Sequence, residues 1–216
     1  RNENGDEWGR LLEWKDMDQR QHTWAMPMSL LAGSGEDFRR ALLGGGLEIT
    51  PSQLARIKLT EYVQAARPEK RAVSVTKLGW IGKVFVLPDE TIGDTDETYY
   101  FQAPQEETYN VKVHGLTDEW KQHIGKMCCG NSRLILAVSC AFAAPLLGLT
   151  ESESGGFHFW GITSKGKSTT LAAAGSVWGG GGERGYLESW RMTSNGMEIL
   201  AALHNDGLAC LDEVKE

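Results

Sequence analysis

Apolar and polar positions change their period several times along the chain. Residues 8–15, WGRLLEWK, and 20–26, RQHTWAM, flank the polar turn DMDQ and predict an antiparallel hairpin. Ser34 followed by Glu36 and Asp37 opens a short helix that the glycines at 44–46 end. Thr50 as N-cap with Pro51 at the first helical position then starts a helix carrying Leu54, Ile57, Leu59, Tyr62 and Val63, which breaks before Pro68. AVSVTKLGWIGKVFVLP alternates and turns through Gly79 to Gly82 as a second hairpin, with further strand candidates at TYYFQ and TYNVKV.

From Thr117 the pattern becomes helical. DEWKQHIGKMCC is broken at Gly130, and a second helix, capped by Asn131 or Ser132, runs to about Leu147. Its apolar run LILAVSCAFAAPLLGLT, interrupted by Ser139, Cys140 and Pro145, reads as too short for a membrane span and as a core helix instead. The expected division is an α+β module over 1–115, then a helical lead-in and a nucleotide-binding core over 116–216. Arg1 at the start, and LDEVKE at the end with no closing element, read as the cut ends of a longer polypeptide.

Chemistry enters at residues 157–174, where strand FHFW, loop GITSKGKS and helix STTLAAAGSVW follow in order. Gly161 to Ser168 matches GxxxxGK[ST] at every fixed position. Gly161 and Gly166 let the backbone bend so that successive N–H groups form an anion nest at a helix N-terminus. The nest spans Gly161, Ile162, Thr163, Ser164, Lys165, Gly166, Lys167, Ser168 and Thr169. Lys167 is expected to reach the β and γ phosphates, Lys165 adds a second cation, and the Ser168 hydroxyl is the expected Mg²⁺ ligand.

The apolar run LACLDE, 208–213, supplies the complementary strand. Asp212, 45 residues after Lys167, is expected to hold Mg²⁺ through water, and Glu213 to polarise the attacking water as general base. Between the motifs, Asn195 caps a predicted helix with Glu198 three residues on, and Asn205 to Gly207 stop it. His204 near that end reads as a residue compensating the helix dipole rather than a catalytic base, and Arg191 as either a nucleotide or subunit contact or an exposed structural arginine. The run at 179–182 reads as a flexible connector. There is no NKxD for guanine and no LSGGQ between the motifs, so ATP is the expected nucleotide.

The bulk properties narrow the function further. The formal charge is −7, with 5 Lys+Arg against 9 Asp+Glu in 151–216 and 17 against 20 in 1–150, so no half is basic enough to advertise a nucleic-acid partner. None of the cysteines 128, 129, 140 and 210 makes paired CxxC ligands, and reduced thiols suit a cytoplasmic protein. Trp8, Trp14 and Trp24, on predicted strands, are assigned to a core face rather than to base stacking.

The stretches GGFHFWGITSKGKSTTLAAAGSVWG and WRMTSNGMEILAALHNDGLACLDEVKE resemble the bacterial domain-of-unknown-function 927 family, the P-loop ATPase module of primase-helicase-like proteins of phages and mobile elements. WGRLLEWKDMDQRQHTWAMPMSLLAGSGEDFRRALLGGGLEI, GWIGKVFVLP and GNSRLILAVSCAFAAPLL are similar to it as well. Where members commonly show GKT this chain has Gly166, Lys167 and Ser168, which keeps the hydroxyl. The resemblance implies a Mg²⁺-dependent ATPase with a partial RecA-like α/β core behind an α+β module, acting on DNA; a ring of identical subunits and no membrane partner are the further expectations. Its sensor residue and arginine finger are expected beyond Glu216. The rival readings are a regulatory ATP-binding module and, more weakly, a small-molecule kinase.

Overall fold

The computed structural model describes residues 1–102, 110–162, 165–180 and 185–212 of a mixed helix-and-strand protein. Contacts divide the chain into two units, Arg1–Val75 with Thr95–Gln102, and Thr76–Asp94 with Ala103–Glu216. The division thus does not fall at one point near residue 115. Thr76–Asp94 is an excursion into the second unit, after which the chain returns to pair with the strand it left.

In the first unit, β1 (Gly9–Lys15) and β2 (Gln21–Pro27) form the expected hairpin, with Gly9 opposite Pro27 and Lys15 opposite Gln21. Asp16 closes its turn: one carboxylate oxygen accepts the Arg20 N–H at 2.9 Å and the other meets His22 Nε2 at 2.9 Å. The bond from His22 holds the Asp16 carboxyl below the usual carboxylate range.

Helix α1 (Glu36–Gly44) starts after Gly35, at φ +63°, rather than after Ser34; Glu36 and Asp37 still sit where the helix dipole favours acids. Helix α2 (Gln53–Ala65) is capped by Ser52, whose hydroxyl accepts the Ala55 N–H at 3.1 Å, and not by Thr50. Pro51 therefore precedes the cap, and Ser52 is the hydroxyl that reaches an orphan amide of the first turn. Met26, Leu31, Phe38, Leu42 and Val63 form this unit's core, with Trp14 and Trp24 packed against it. Trp14 also donates its indole N–H to the Gly45 carbonyl at 2.8 Å.

The second hairpin begins later than expected. β3 (Ala72–Val75) stands apart, while β4 (Gly79–Ile81), β5 (Val84–Val86) and β6 (Thr91–Ile92) form a three-stranded antiparallel sheet in the second unit. β7 (Thr98–Phe101) then runs parallel to β3, Val73 opposite Tyr99 and Val75 opposite Phe101. Alternation predicted strands on both sides of Lys77 but carries no information about which partner each finds. Of TYNVKV, Thr108 and Tyr109 lie outside the described residues, and Val111 makes one bridge, to Gly179.

In the second unit, α3 (Thr117–Trp120) passes through a π-helical turn, Lys121–Gly125, into α4 (Lys126–Cys128). Helix α5 (Ser132–Leu149) is capped by Asn131, whose side chain accepts the N–H groups of Arg133 and Leu134. With 18 residues and a mean hydropathy of 1.8, it is long and apolar enough to cross a membrane, contrary to the expectation from its apolar run. It is a core helix on one stripe only. Ala137, Ala141 and Ala144, spaced four and three apart, are buried, while Phe142, Leu146 and Leu149 stay about half exposed. These small residues let α6 (Lys167–Gly175) pack closely, Ala141 and Ala174 sharing one cluster.

Pro145 has no N–H to give the Ala141 carbonyl four residues back. Trp178 supplies the missing donor, its indole N–H reaching that carbonyl at 3.1 Å. The chain continues through β8 (Leu187–Ser189) and α7 (Ser194–Leu203) to β9 (Cys210–Asp212), which runs parallel to β8.

Candidate functional site

The strand expected ahead of the loop does not form. Phe157 and Trp160 are exposed, Trp160 by 86 %, and Phe159 alone packs against the cluster of Ala137, Ala141, Ala174, Tyr186 and Cys210. A strand exists through its ladder of hydrogen bonds. Among the described residues β9 pairs with β8 alone, so FHFW has the alternation of a strand without a partner.

The loop keeps the backbone its glycines imply. Gly161 has φ +150° and Gly166 φ +79°, and a Cβ built at either meets no atom within 4 Å. The demand for glycine here is therefore conformational rather than steric. Gly166 caps α6, which begins at Lys167, one residue earlier than Ser168. A glycine cap brings no side chain to the first-turn amides, whose donors stay available to an anion.

Lys167 folds back over the loop, its ammonium donating to the carbonyl oxygens of Gly161 at 2.8 Å and Ile162 at 3.0 Å. Thr170, buried, ties the same turn from behind, its hydroxyl donating to the Gly166 carbonyl at 2.9 Å. Lys165, Ser168 and Thr169 are exposed. Thr163 and Ser164 lie outside the described residues.

Helix α6 packs on β9, through Ala174 and Cys210 of the shared cluster. The lysine loop and the strand ending in Asp212 are thereby joined through one helix. Asp212 stands opposite Ser189 in the β8–β9 register, and its carbonyl accepts the Trp190 N–H at 3.2 Å. Burial pushes the Cys210 thiol up to about 11. Glu213 lies outside the described residues, as do residues 181 and 182 of the glycine run.

The intervening helix is capped by Thr193, which accepts the Gly196 N–H at 3.2 Å, rather than by Asn195. Its extended Thr193 backbone places the hydroxyl over the first turn, where Asn195 is already helical. The helix ends at Leu203 with His204 as its C-cap, one residue ahead of the expected stop at Asn205 to Gly207. His204 does not act through charge. Its ring lies edge-on to Tyr186 at 5.1 Å, Nδ1 sits 2.9 Å from the Leu200 carbonyl, and desolvation holds its pKa below the ordinary imidazole value. The backbone N–H of Arg191 donates to the Ser189 hydroxyl.

Tyr186 was not singled out by the sequence, yet it is 1 % exposed and stacks on Trp178 at 6.3 Å. Its phenol is pushed well above the usual range by burial. The one available signal was an aromatic directly before the short run LES, after a glycine stretch that reads as mere linker.

A glycine-bounded lysine loop feeding a helix, with that helix packed on a strand ending in an acid, defines a mixed helix-and-strand protein with an anion-ready helix start. The chain belongs to the family described as Domain of unknown function (DUF927), whose model matches residues 1–216. Among solved structures it is similar to one described as "SCCmec type IV Cch - active helicase", with a TM-score of 0.64, 21% identity, and coverage of 89% of this chain and 38% of that one. The chain thus spans well under half the length of that neighbour. No curated protein matches it.

Proposed function

We propose that the protein binds Mg²⁺–ATP at Gly161–Ser168 and hydrolyses it, as a partial RecA-like P-loop core behind an α+β module. The observation that carries this reading is the Lys167 ammonium held on the Gly161 and Ile162 carbonyls at the mouth of a glycine-capped helix. A cation already folded over the nest needs only to exchange two carbonyl oxygens for phosphate oxygens. First-turn amides of α6 take the remaining phosphate oxygens, with Lys165 adding charge.

The donor set fits a hard divalent cation. Among the described residues no group of three or more His, Cys, Asp or Glu side chains offers a protein cage. The Ser168 hydroxyl as a direct ligand and Asp212 acting through water leave the other positions to phosphate oxygens and waters, as Mg²⁺ prefers. When bound, the ion neutralises charge on the phosphates. Lys167 stabilises the transferring phosphoryl, and Glu213 orients the attacking water, so that catalysis is positioning and charge neutralisation.

The wider role is an ATP-driven motor on DNA, working in the cytoplasm as a ring of identical subunits. Family membership and the solved neighbour described as an active helicase support it; the bulk charge of −7 does not. Equilibrium titration with a fluorescent ATP analogue tests the site. Mg²⁺-dependent binding that Lys167→Ala weakens tenfold or more is the expected result, and undiminished binding by that variant contradicts the assignment.

A further inference from the structure

Helix α2 lays only a narrow stripe inward, Leu59 and Val63 against the first unit's core. Its other sides carry Leu54, Ile57 and Tyr62, 61 %, 47 % and 73 % exposed. From Gln53 to Arg71 the chain has five cations, Arg56, Lys58, Arg67, Lys70 and Arg71, against two carboxylates, Glu61 and Glu69. None of the five is among the ion pairs of the described residues, although Arg1, Arg20 and Arg40 of the same unit all have acidic partners. Arg71 lies instead over the Trp8 ring at 5.8 Å.

One flank of α2 is concave. Arg39 and Arg56 line a groove of about 410 Å³ together with Ser34, Gln53 and Thr60, and Glu61 is the one acid on it. A Cβ at the neighbouring Gly35 would crowd two of its side chains, meeting Arg39 Nη1 at 3.2 Å and Thr60 Oγ1 at 3.3 Å. Arg39 is held by one bond, Nη1 donating to the Ser34 carbonyl at 2.8 Å. Among the described residues no acceptor takes its remaining donors, so the guanidinium keeps a fork for an anion.

We propose that this outer surface of α2 is a contact surface for single-stranded nucleic acid, with Arg39, Arg56 and Lys58 on phosphates and the Tyr62 ring offered to a base. The inference rests on the reading that the protein works on DNA and says where the strand lies on the first unit. Lys58, one helical turn before the exposed Tyr62 ring, sets a cation beside an aromatic, the way sequence-tolerant single-strand binders combine phosphate attraction with stacking, while Arg39 and Arg56 line the groove on the other flank. An acidic peptide would answer the charge but leave Tyr62 without a use. In a protein of net charge −7 the attraction has to be local, and α2 with the segment after it is where acids fail to match bases.

The test is fluorescence anisotropy of a labelled oligo(dT) with the protein over a series of salt concentrations. Removing two phosphate contacts in Arg56→Ala/Lys58→Ala should weaken binding and flatten the log K against log salt slope by about 1.4. Tyr62→Ala should weaken binding roughly 5- to 150-fold with the slope unchanged. All three side chains are exposed, so melting temperatures should match wild type and separate lost contact from lost fold. If wild type binds and both variants bind equally well, the surface is wrong and the DNA reading stands. If wild type fails to bind at low salt with ATP present, both fall. Displacement of the oligonucleotide by polyglutamate at equal charge concentration overturns the assignment to nucleic acid.

Discussion

Lys167 donates to the carbonyl oxygen of Gly161 at 2.8 Å, six residues back along the loop it closes. The bond spans the two glycines with left-handed backbone, so one side chain bridges both ends of the candidate phosphate nest. Lys167→Ala should cost nucleotide affinity tenfold or more, the worth of a charge-assisted bond of about 1.5–3 kcal/mol. Its melting temperature should barely move, because the tether is exposed. Isothermal titration beside a thermal melt separates the two effects.

The Ala141 carbonyl, deprived of its helical donor by Pro145, depends on Trp178. Trp178→Phe should destabilise the second unit by about 1–3 kcal/mol through that orphaned carbonyl. In a Pro145→Ala background the helix regains its own donor, and the same substitution should cost less than half as much. Urea unfolding of the double-mutant cycle measures the coupling.

His204 is held neutral by desolvation, its pKa lowered from an ordinary 6.5. The unfolded chain therefore binds more protons than the folded one just below 6.5. Stability should be full above that pH and fall as pH drops toward the folded pKa, by at most about 1.4 kcal/mol per pH unit. His204→Gln should flatten this stretch of the profile. Chemical denaturation between pH 7.5 and 5, in wild type and variant, reads it.

The four thiols should react in the order of their surroundings. Cys129 is exposed, while Cys210 is 1 % exposed with its thiol pushed up to about 11. Iodoacetamide on the native protein should label Cys129 first and spare Cys210 until denaturant is added, as followed by peptide mass spectrometry. Early labelling of Cys210 would deny the burial of β9.

Local grammar was legible in the sequence where it concerns neighbours along the chain. The β1–β2 hairpin follows from its turn, α5 from the Asn131 cap, and α6 from Gly166 and the alanines after it. Caps moved by a residue or two, from Thr50 to Ser52 and from Asn195 to Thr193, because several nearby side chains can reach an orphan amide and backbone geometry chooses among them. Partners distant in sequence were not legible. Alternation cannot tell that β3 waits for β7, nor that FHFW finds no strand beside it among the described residues. The indole of Trp178 and the phenol of Tyr186 gain their roles from a proline 33 residues upstream of Trp178 and from a shared cluster, which no periodicity encodes. The motif residues Gly161, Gly166, Lys167, Ser168 and Asp212 are legible from sequence because their spacing is local and fixed.

ATP turnover at the Lys167 loop in the service of DNA is open to a direct assay. Steady-state ATP hydrolysis, with and without single-stranded DNA, beside Lys167→Ala and Glu213→Gln, tests it most directly. The expected result is Mg²⁺-dependent hydrolysis that DNA stimulates, that Lys167→Ala abolishes, and that Glu213→Gln lowers by about 10²–10⁴-fold while binding persists. Hydrolysis by Lys167→Ala at the wild-type rate would contradict it.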